Sequence, residues 1–417
     1  MIQLKETIAL SFIAPTDYQH ACYYWNTGES TFEYSTDLFP EILPKLFPVN
    51  KLILFVTEEA EKHSNCQRLQ AKLGDLLKTE RIPQGKSEEE LWEIFSTVAK
   101  QVPRGAHIII DITHGFRSLP LIVFNIATYL RRVKDVVIER IVYGNFEARD
   151  NSFNPPRTPI FDLTLTLDLQ DWLHGIDAFQ RRGDAEELAN SLERTQDSLY
   201  NKSTKSNGLP QQLKNTAKQL RNFSEAFRLL RPLDTVSYAT NVCNLLDKAQ
   251  GEASLWAKPF ANILNDLKNE ILPLQIEDST ILNLENLQTQ LRLIKYYIAK
   301  DLVVQAFLLA REWMVSMLMF RTNRSENWRD RRESIEEELR LVDRVFVQKK
   351  ISETEDELPF WFRNDPQSEN IANLWSNLSK LRNDIAHCAM NTDAALPHTI
   401  RSKIKELIQS LKALLSS

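Results

Sequence analysis

Residues 106–132 read AHIIIDITHGFRSLPLIVFNIATYLRR. The opening AHIIIDIT is a run of β-branched residues of strand length. A polar, glycine-containing turn follows, and residues 116–132 then have helical spacing. Strand, turn and helix make half of a βα unit, and its neighbours repeat the rhythm. TIALSFI, KLILFVT, a short TERIP, VVIERIVYG and PIFDLT read as further strands. Residues 37–47, 58–74 and 87–100 have helical spacing or length, and Ser87 with Glu90 forms a capping box. The alternation predicts a Rossmann-like α/β fold with a mostly parallel sheet. CYYWNTGESTFEYS, two aromatic-rich runs around Asn-Thr-Gly, predicts a β-hairpin inserted after the first strand.

After about Asp168 the strand signal ends, and LQDWLHGIDAFQRRG, DAEELANSLERTQDSLY and LKNTAKQLRNFSEAFRLL carry long helical periods. The expected organisation is an α/β domain over residues 1–165 and an all-α domain over residues 166–417. A chain of 417 residues exceeds the size at which a single core stops growing, about 250–300 residues, so two cores are expected. Hydrophobic residues at 43% and charged residues at 26% exclude a disordered chain. The N-terminal run lacks a basic region and cleavage site, and no run approaches the roughly 20 apolar residues of a membrane span, so a cytoplasmic protein is expected. Cys22, Cys66, Cys243 and Cys388 lie far apart without a C-x-x-C pair, which suggests neither zinc nor disulfides. A net charge of −5 opposes a broad basic field for nucleic acid, so any RNA must be gripped locally.

In a doubly wound sheet, ligands bind beyond the carboxyl ends of the strands. That edge holds Thr113, His114, Gly115, Arg117 and Ser118 after the AHIIIDIT strand, Thr16 after TIALSFI, and Thr57 after KLILFVT. No G-x-G-x-x-G follows the first strand, which excludes the dehydrogenase type of dinucleotide site. DITHGFRSLP at 111–120, QGKSEEELW at 84–92 and YGNFEA at 143–148 together resemble the CRISPR-associated Rossmann fold, or CARF, family. This resemblance covers about residues 1–165. It implies a homodimer whose two copies of the turn face one pocket for a cyclic oligoadenylate, with the tetra-adenylate expected ahead of the hexa-adenylate. Thr113, His114, Gly115, Arg117 and Ser118 would line that pocket. Thr16 and Thr57 are added by topology alone.

Near the C-terminus, SNLSKLRNDIAHCAMN places Arg382, Asn383 and His387 on a helix whose apolar positions Leu374, Leu378, Leu381, Ile385 and Cys388 are expected to face the core. Asn383 and His387 share a face, whereas Arg382 and His387 differ by about 140° on an ideal helix, so Arg382 must reach round or serve another subunit. An imidazole exchanges protons near neutral pH and a guanidinium holds a phosphodiester, which together suit RNA cleavage by the RNA's own 2′-hydroxyl. R-N-D-I-A-H in an all-α region after a CARF-like domain resembles the HEPN ribonuclease domain. The resemblance implies a metal-independent single-strand RNA endonuclease of type III CRISPR defence, acting as a homodimer or higher even oligomer, with 2′,3′-cyclic phosphate products. Paired motifs from two subunits would form one site. AFLLAREWMVSML resembles the packing helix of that domain, with Arg311 and Glu312 as its polar face.

RTNRSENWRDRR interleaves five arginines with Trp328, either a solvated run or a stacking surface for RNA. Asp168, Asp171, His174 and Asp177 read as a solvated helix face and not as a metal site. Two other functions stay open: a ring nuclease that degrades the cyclic ligand in the CARF pocket, and a non-catalytic, ligand-responsive RNA-binding module.

Overall fold

The computed structural model describes residues 6–26, 31–115, 118–202, 209–256, 258–349, 357–390, 392 and 394–415. They form two compact units, residues 1–170 with 199–207 and residues 171–198 with 208–417.

The first unit is built on one eight-stranded sheet. Its strands are β1 (Thr7–Ile13), β2 (Ala21–Asn26), β3 (Thr31–Thr36), β4 (Lys51–Val56), β5 (Leu77–Arg81), β6 (His107–Asp111), β7 (Val137–Gly144) and β8 (Arg157–Asp162), in the order β3-β2-β8-β7-β6-β1-β4-β5. Neighbours from β5 through β4, β1 and β6 to β7 run parallel, as do β2 and β8. Only β2 with β3 and β7 with β8 are antiparallel. The sheet is thus mostly parallel, and the aromatic hairpin forms its β8-side edge.

Alternation along the central strands feeds two cores. Ile8, Leu10, Phe12, Ile108 and Ile110 pack on the helices Glu88–Gln101 and Leu119–Val133. Ala9, Leu52, Leu54 and Ile109 face the other way, over Phe39, Ile42, Leu43 and Leu69. Burial on both faces explains why these strands read as continuous apolar runs, each large side chain contributing about 1.5–3 kcal/mol. Ser11 is the exception within β1, buried and polar.

Two expected helices differ. Residues 37–47 form only a 3-10 turn, Phe39–Ile42, and one helical turn, Leu43–Leu46, because Pro40 and Pro44 each withhold a backbone donor. Residues 58–74 break at His63, which is extended and accepts from Asn65 N at 3.3 Å through Nδ1, so it caps Ser64–Leu73.

The second unit is helical throughout its described residues. Its most buried helix is Val303–Arg321, with Trp313, Met314, Val315 and Met317 fully covered. This helix corrects the expectation about apolar runs: it is long and apolar enough to cross a membrane by length and composition, and 61% of the qualifying window is buried. It packs against the motif-bearing helix Ser368–Ala386. The Arg311 guanidinium lies 4.5 Å from the Trp375 ring centroid and reaches Glu336 at 2.9 Å. Burial alone would raise the Glu336 carboxyl, but its bond and charge contact with Arg311 hold it below the usual range. A half-buried, paired arginine therefore fixes one helix against the other.

Candidate functional sites

β1 lies between β4 and β6, so the order of connections reverses between β1 and β6, and the crevice of an open α/β sheet opens at their carboxyl ends. The loops starting at Ala14 and Ile112 meet there. Ser11 Oγ donates to Asp111 Oδ2 at 2.6 Å, and Thr113 N donates to Asp111 Oδ1 at 2.8 Å. Thr113 Oγ1 in turn accepts from Gly144 N at 2.8 Å, at the end of β7. Three strand ends are tied through one carboxylate and one hydroxyl. Complete burial pushes the Asp111 carboxyl up to about 6, against the opposing pull of its Ser11 and Thr113 donors.

His114 is buried, and its ring stacks on Tyr18 with centroids 3.7 Å apart. Its Nε2 accepts from Phe39 N at 3.3 Å. The neutral ring consequently carries its proton on Nδ1. Burial drives the His114 imidazole down to about 4 and the Tyr18 hydroxyl up to about 12. Gly115 has φ +143°, and a Cβ there would lie 2.5 Å from Leu119 Cδ2. Only glycine meets both demands.

The crevice brings together Thr113, His114 and Gly115, with Ser118 exposed just before the helix Leu119–Val133. Ser118 makes no side-chain cap, which leaves its hydroxyl outside the helix's own bonding. Thr16 is exposed, with its carbonyl bound by Asn65 Nδ2 at 2.8 Å. Thr57 differs: it is buried, and its Oγ1 accepts from Ala60 N at 3.2 Å as the cap of Glu58–Lys62. Arg117 lies outside the described residues. Tyr18 follows the first strand at this edge, and Ser11 is the member that pattern reading missed. A lone serine inside TIALSFI was the available signal.

At the other site, Arg382, Asn383 and His387 are all exposed. Arg382 Nη1 donates to Asn383 Oδ1 at 3.3 Å. The helix ends at Ala386, so His387 is its C-cap, with its N–H on Asn383 O at 2.9 Å. Cys388 and Ala389 then adopt φ of +53° and +55°. Cys388 is accordingly exposed beyond the helix and does not face the core as its spacing suggested. Asp384 holds this turn. Its carbonyl accepts from Ala389 N at 3.0 Å, and its buried carboxylate accepts from Ala395 N at 3.1 Å through Oδ2, while Oδ1 has no partner among the described residues. Sequence spacing gave no sign of this role.

Two other motifs resolve into structural parts. Trp328 is buried and donates through Nε1 to Thr280 O at 2.8 Å, so its ring is not an exposed stacking surface. Arg332 pairs with Glu312 at 2.7 Å, Arg324 with Glu338 at 2.6 Å and Arg321 with Asp365 at 3.0 Å. Asp168 and Asp171 are buried beside Arg131 at 2.8 Å and Arg194 at 3.7 Å, and do not form the solvated face expected. Among the described residues no group of three or more His, Cys, Asp or Glu is placed to hold a metal ion.

Residues 8–147 match the family model described as CRISPR system endoribonuclease Csx1, CARF domain, and residues 168–272 match CRISPR-associated protein MJ1674, second domain. The α/β unit is thus similar to a CARF domain of a CRISPR-associated endoribonuclease, and the first part of the helical unit to the second domain of a CRISPR-associated protein. The chain is 29% identical over 115 residues to CRISPR-associated protein MJ1674 of Methanocaldococcus jannaschii, a stretch that covers 27% of this chain and 18% of the relative's length. Enterococcus italicus Csm6 bound to cyclic hexa-2'-fluoro-hexa-dAMP is a similar solved structure, at 12% identity and a TM-score of 0.47, covering 99% of this chain and 93% of that one.

Proposed function

We propose that the chain is a cyclic oligoadenylate-activated, metal-independent endonuclease for single-stranded RNA. The observation that carries the reading is the solvent-facing trio Arg382, Asn383 and His387 at a helix end, in a chain whose N-terminal unit matches a CARF domain of an endoribonuclease family. His387 takes the proton of the RNA 2′-hydroxyl, whose oxygen attacks the adjacent phosphorus and expels the 5′-oxygen, which takes up a proton from solvent while His387 returns its own. Arg382 holds the charge that builds on the phosphoryl oxygens. Asn383 steadies that guanidinium through its carboxamide. The products are a 2′,3′-cyclic phosphate and a 5′-hydroxyl, and because the nucleophile belongs to the substrate, the reaction calls on no metal.

His387 is the C-cap, off the helix proper, so the angle between it and Arg382 is met most simply by two chains pooling their motifs. The activator binds a dimeric crevice lined by Thr113, His114, Gly115, Arg117 and Ser118, with Thr16 at its rim. It raises activity by its differential affinity for the competent state. The test is cleavage of labelled RNA by wild type, Arg382→Ala and His387→Ala with cyclic tetra- and hexa-adenylate, with and without EDTA. Loss of cleavage in both variants and an EDTA-insensitive wild type are expected; undiminished cutting by both variants refutes the assignment.

A further inference from the structure

A groove of about 350 Å³ runs between the helices Ser368–Ala386 and Pro397–Leu415, lined by Gln367, Asn370, Asn373, Leu374, Asn377 and Leu414 among others. Leu414 is buried and Leu374 half-buried, so the floor is apolar. The rim is made of carboxamides. Asn370, Asn373 and Asn377 are exposed, and among the described residues none of their carboxamides has a hydrogen-bonding partner. Along an ideal helix Asn370, Asn373, Asn377, Lys380 and Asp384 fall within about 80° of one another, a polar stripe leading to the turn at His387.

Neutral carboxamides do not attract phosphate as lysine and arginine do. Each offers one acceptor and two donors, the pattern that pairs with the edge of a base. An apolar floor beneath such a rim suits the face of an unstacked base, which is how proteins read single-stranded RNA. We infer that this groove receives an unpaired nucleobase of the RNA substrate and sets base preference at one position away from the cut. The inference rests on the nuclease reading above. Ten residues separate Asn377 from His387, about 15 Å of helix rise. At the ~3.4 Å spacing of a stacked strand that is about four nucleotides, fewer if the strand is extended. Lys380, exposed on the same stripe, would meet the backbone between them.

The test uses the full-length chain with cyclic tetra- and hexa-adenylate and a random-sequence RNA library, whose cut sites are mapped by sequencing. The double substitution Asn373→Ala with Asn377→Ala should lower kcat/KM about tenfold, and base preference should flatten at one position a few nucleotides from the cut. Alanine raises helix propensity at both positions, so misfolding is not the expected cause of a loss. Its log KM against log salt slope should match wild type, whereas Lys380→Ala should weaken all sequences alike and reduce the slope by about one. An unchanged cut map overturns the inference. So does a change of oligomeric state with the map intact, since the stripe would then be a contact between copies. If wild type cuts no RNA, the nuclease reading fails, and the groove is judged on binding of a 2′-deoxy-substituted strand: equal affinity in wild type and the double variant overturns it.

Discussion

Replacing Asp111 with asparagine should stabilise the N-terminal unit at alkaline pH and leave it nearly unchanged in acid. The carboxyl is completely buried and its pKa is raised from the ordinary 3.8 to about 6, so folding favours the protonated form by about two pH units. At about 1.4 kcal/mol per unit, the ionised group costs the native sheet about 3 kcal/mol. Well below pH 3.8 the group is protonated in both states and the cost vanishes. It grows as pH rises from about 4 to 6 and is nearly complete just above 6. Asparagine keeps the shape, and its Oδ1 can accept from Thr113 N. Its Nδ2 can donate to Ser11 Oγ, whose hydroxyl rotates to accept. The assay is amide hydrogen exchange of β1 and β6 in the full-length chain at several pH values. At each pH the intrinsic exchange rate is shared by wild type and variant, so the ratio of rates reads the difference in opening free energy. Exchange on the order of a hundredfold slower in the variant at pH 8, shrinking toward parity at pH 4, is expected. A ratio that does not vary with pH would refute the argument that burial of the ionised form governs this carboxyl.

His114 works with the opposite sign, because its imidazole sits at about 4 in the fold against the ordinary 6.5. Its stability contribution is present above pH 6.5 and lost as pH falls through 4, so His114→Gln should lose about 1 kcal/mol of stacking on Tyr18 near pH 7 yet gain relative to wild type by pH 4.5, read by the same exchange assay. Gly115→Ala forces φ +143° on a residue with a Cβ against Leu119; a local loss of about 1–3 kcal/mol, seen as faster exchange over the turn, and at least tenfold weaker binding of a cyclic oligoadenylate by calorimetry are expected. Asp384→Ala removes the acceptor for Ala395 N behind His387, and RNA cleavage should slow at least tenfold; Asp384→Asn, which can still accept that bond, should stay close to wild type in rate and melting temperature.

The parallel sheet was legible because its inner strands are buried on two faces, which leaves an unbroken apolar run such as KLILFV bounded by polar turns. The hairpin was legible from its two aromatic runs, and Ala21–Asn26 does pair with Thr31–Thr36. Local pattern failed where one side chain redirected the backbone. His63 reads as a helical residue until its ring is seen capping the next helix, and two prolines at 40 and 44 outweigh the apolar spacing around them. It failed again where burial depends on partners distant in sequence. Trp328 sits among arginines in the chain, yet its ring is covered and its N–H bound by Thr280, and Asp168 is sheltered by Arg131 from 37 residues away. At the candidate sites, residue types were readable and their supports were not. Nothing adjacent to Asp384 shows that it pins Ala395, or that Thr57 is occupied in capping.

The supports also explain why a sheet would retain an acid that destabilises it. Asp111 could be replaced by an apolar residue only if Ser11 and the Thr113 amide found other partners in a place where no water reaches, and each unpaired buried group costs about 1–3 kcal/mol. With the carboxylate in place, the ends of β1, β6 and β7 are held by Ser11, Asp111, Thr113 and Gly144 in one connected set of bonds. Gly115 leaves that set directly, and His114 is kept neutral by burial, with Tyr18 stacked on its ring and the Phe39 amide donating to its Nε2. On the proposed reading, a turn prepared in this way would lose little freedom on binding a cyclic oligoadenylate, so less of the binding energy would be consumed by ordering. The destabilising acid, the buried neutral histidine and the strained glycine fall within six residues of one crevice, where departures from the ordinary rules of burial are expected to collect when a fold serves a site as well as itself.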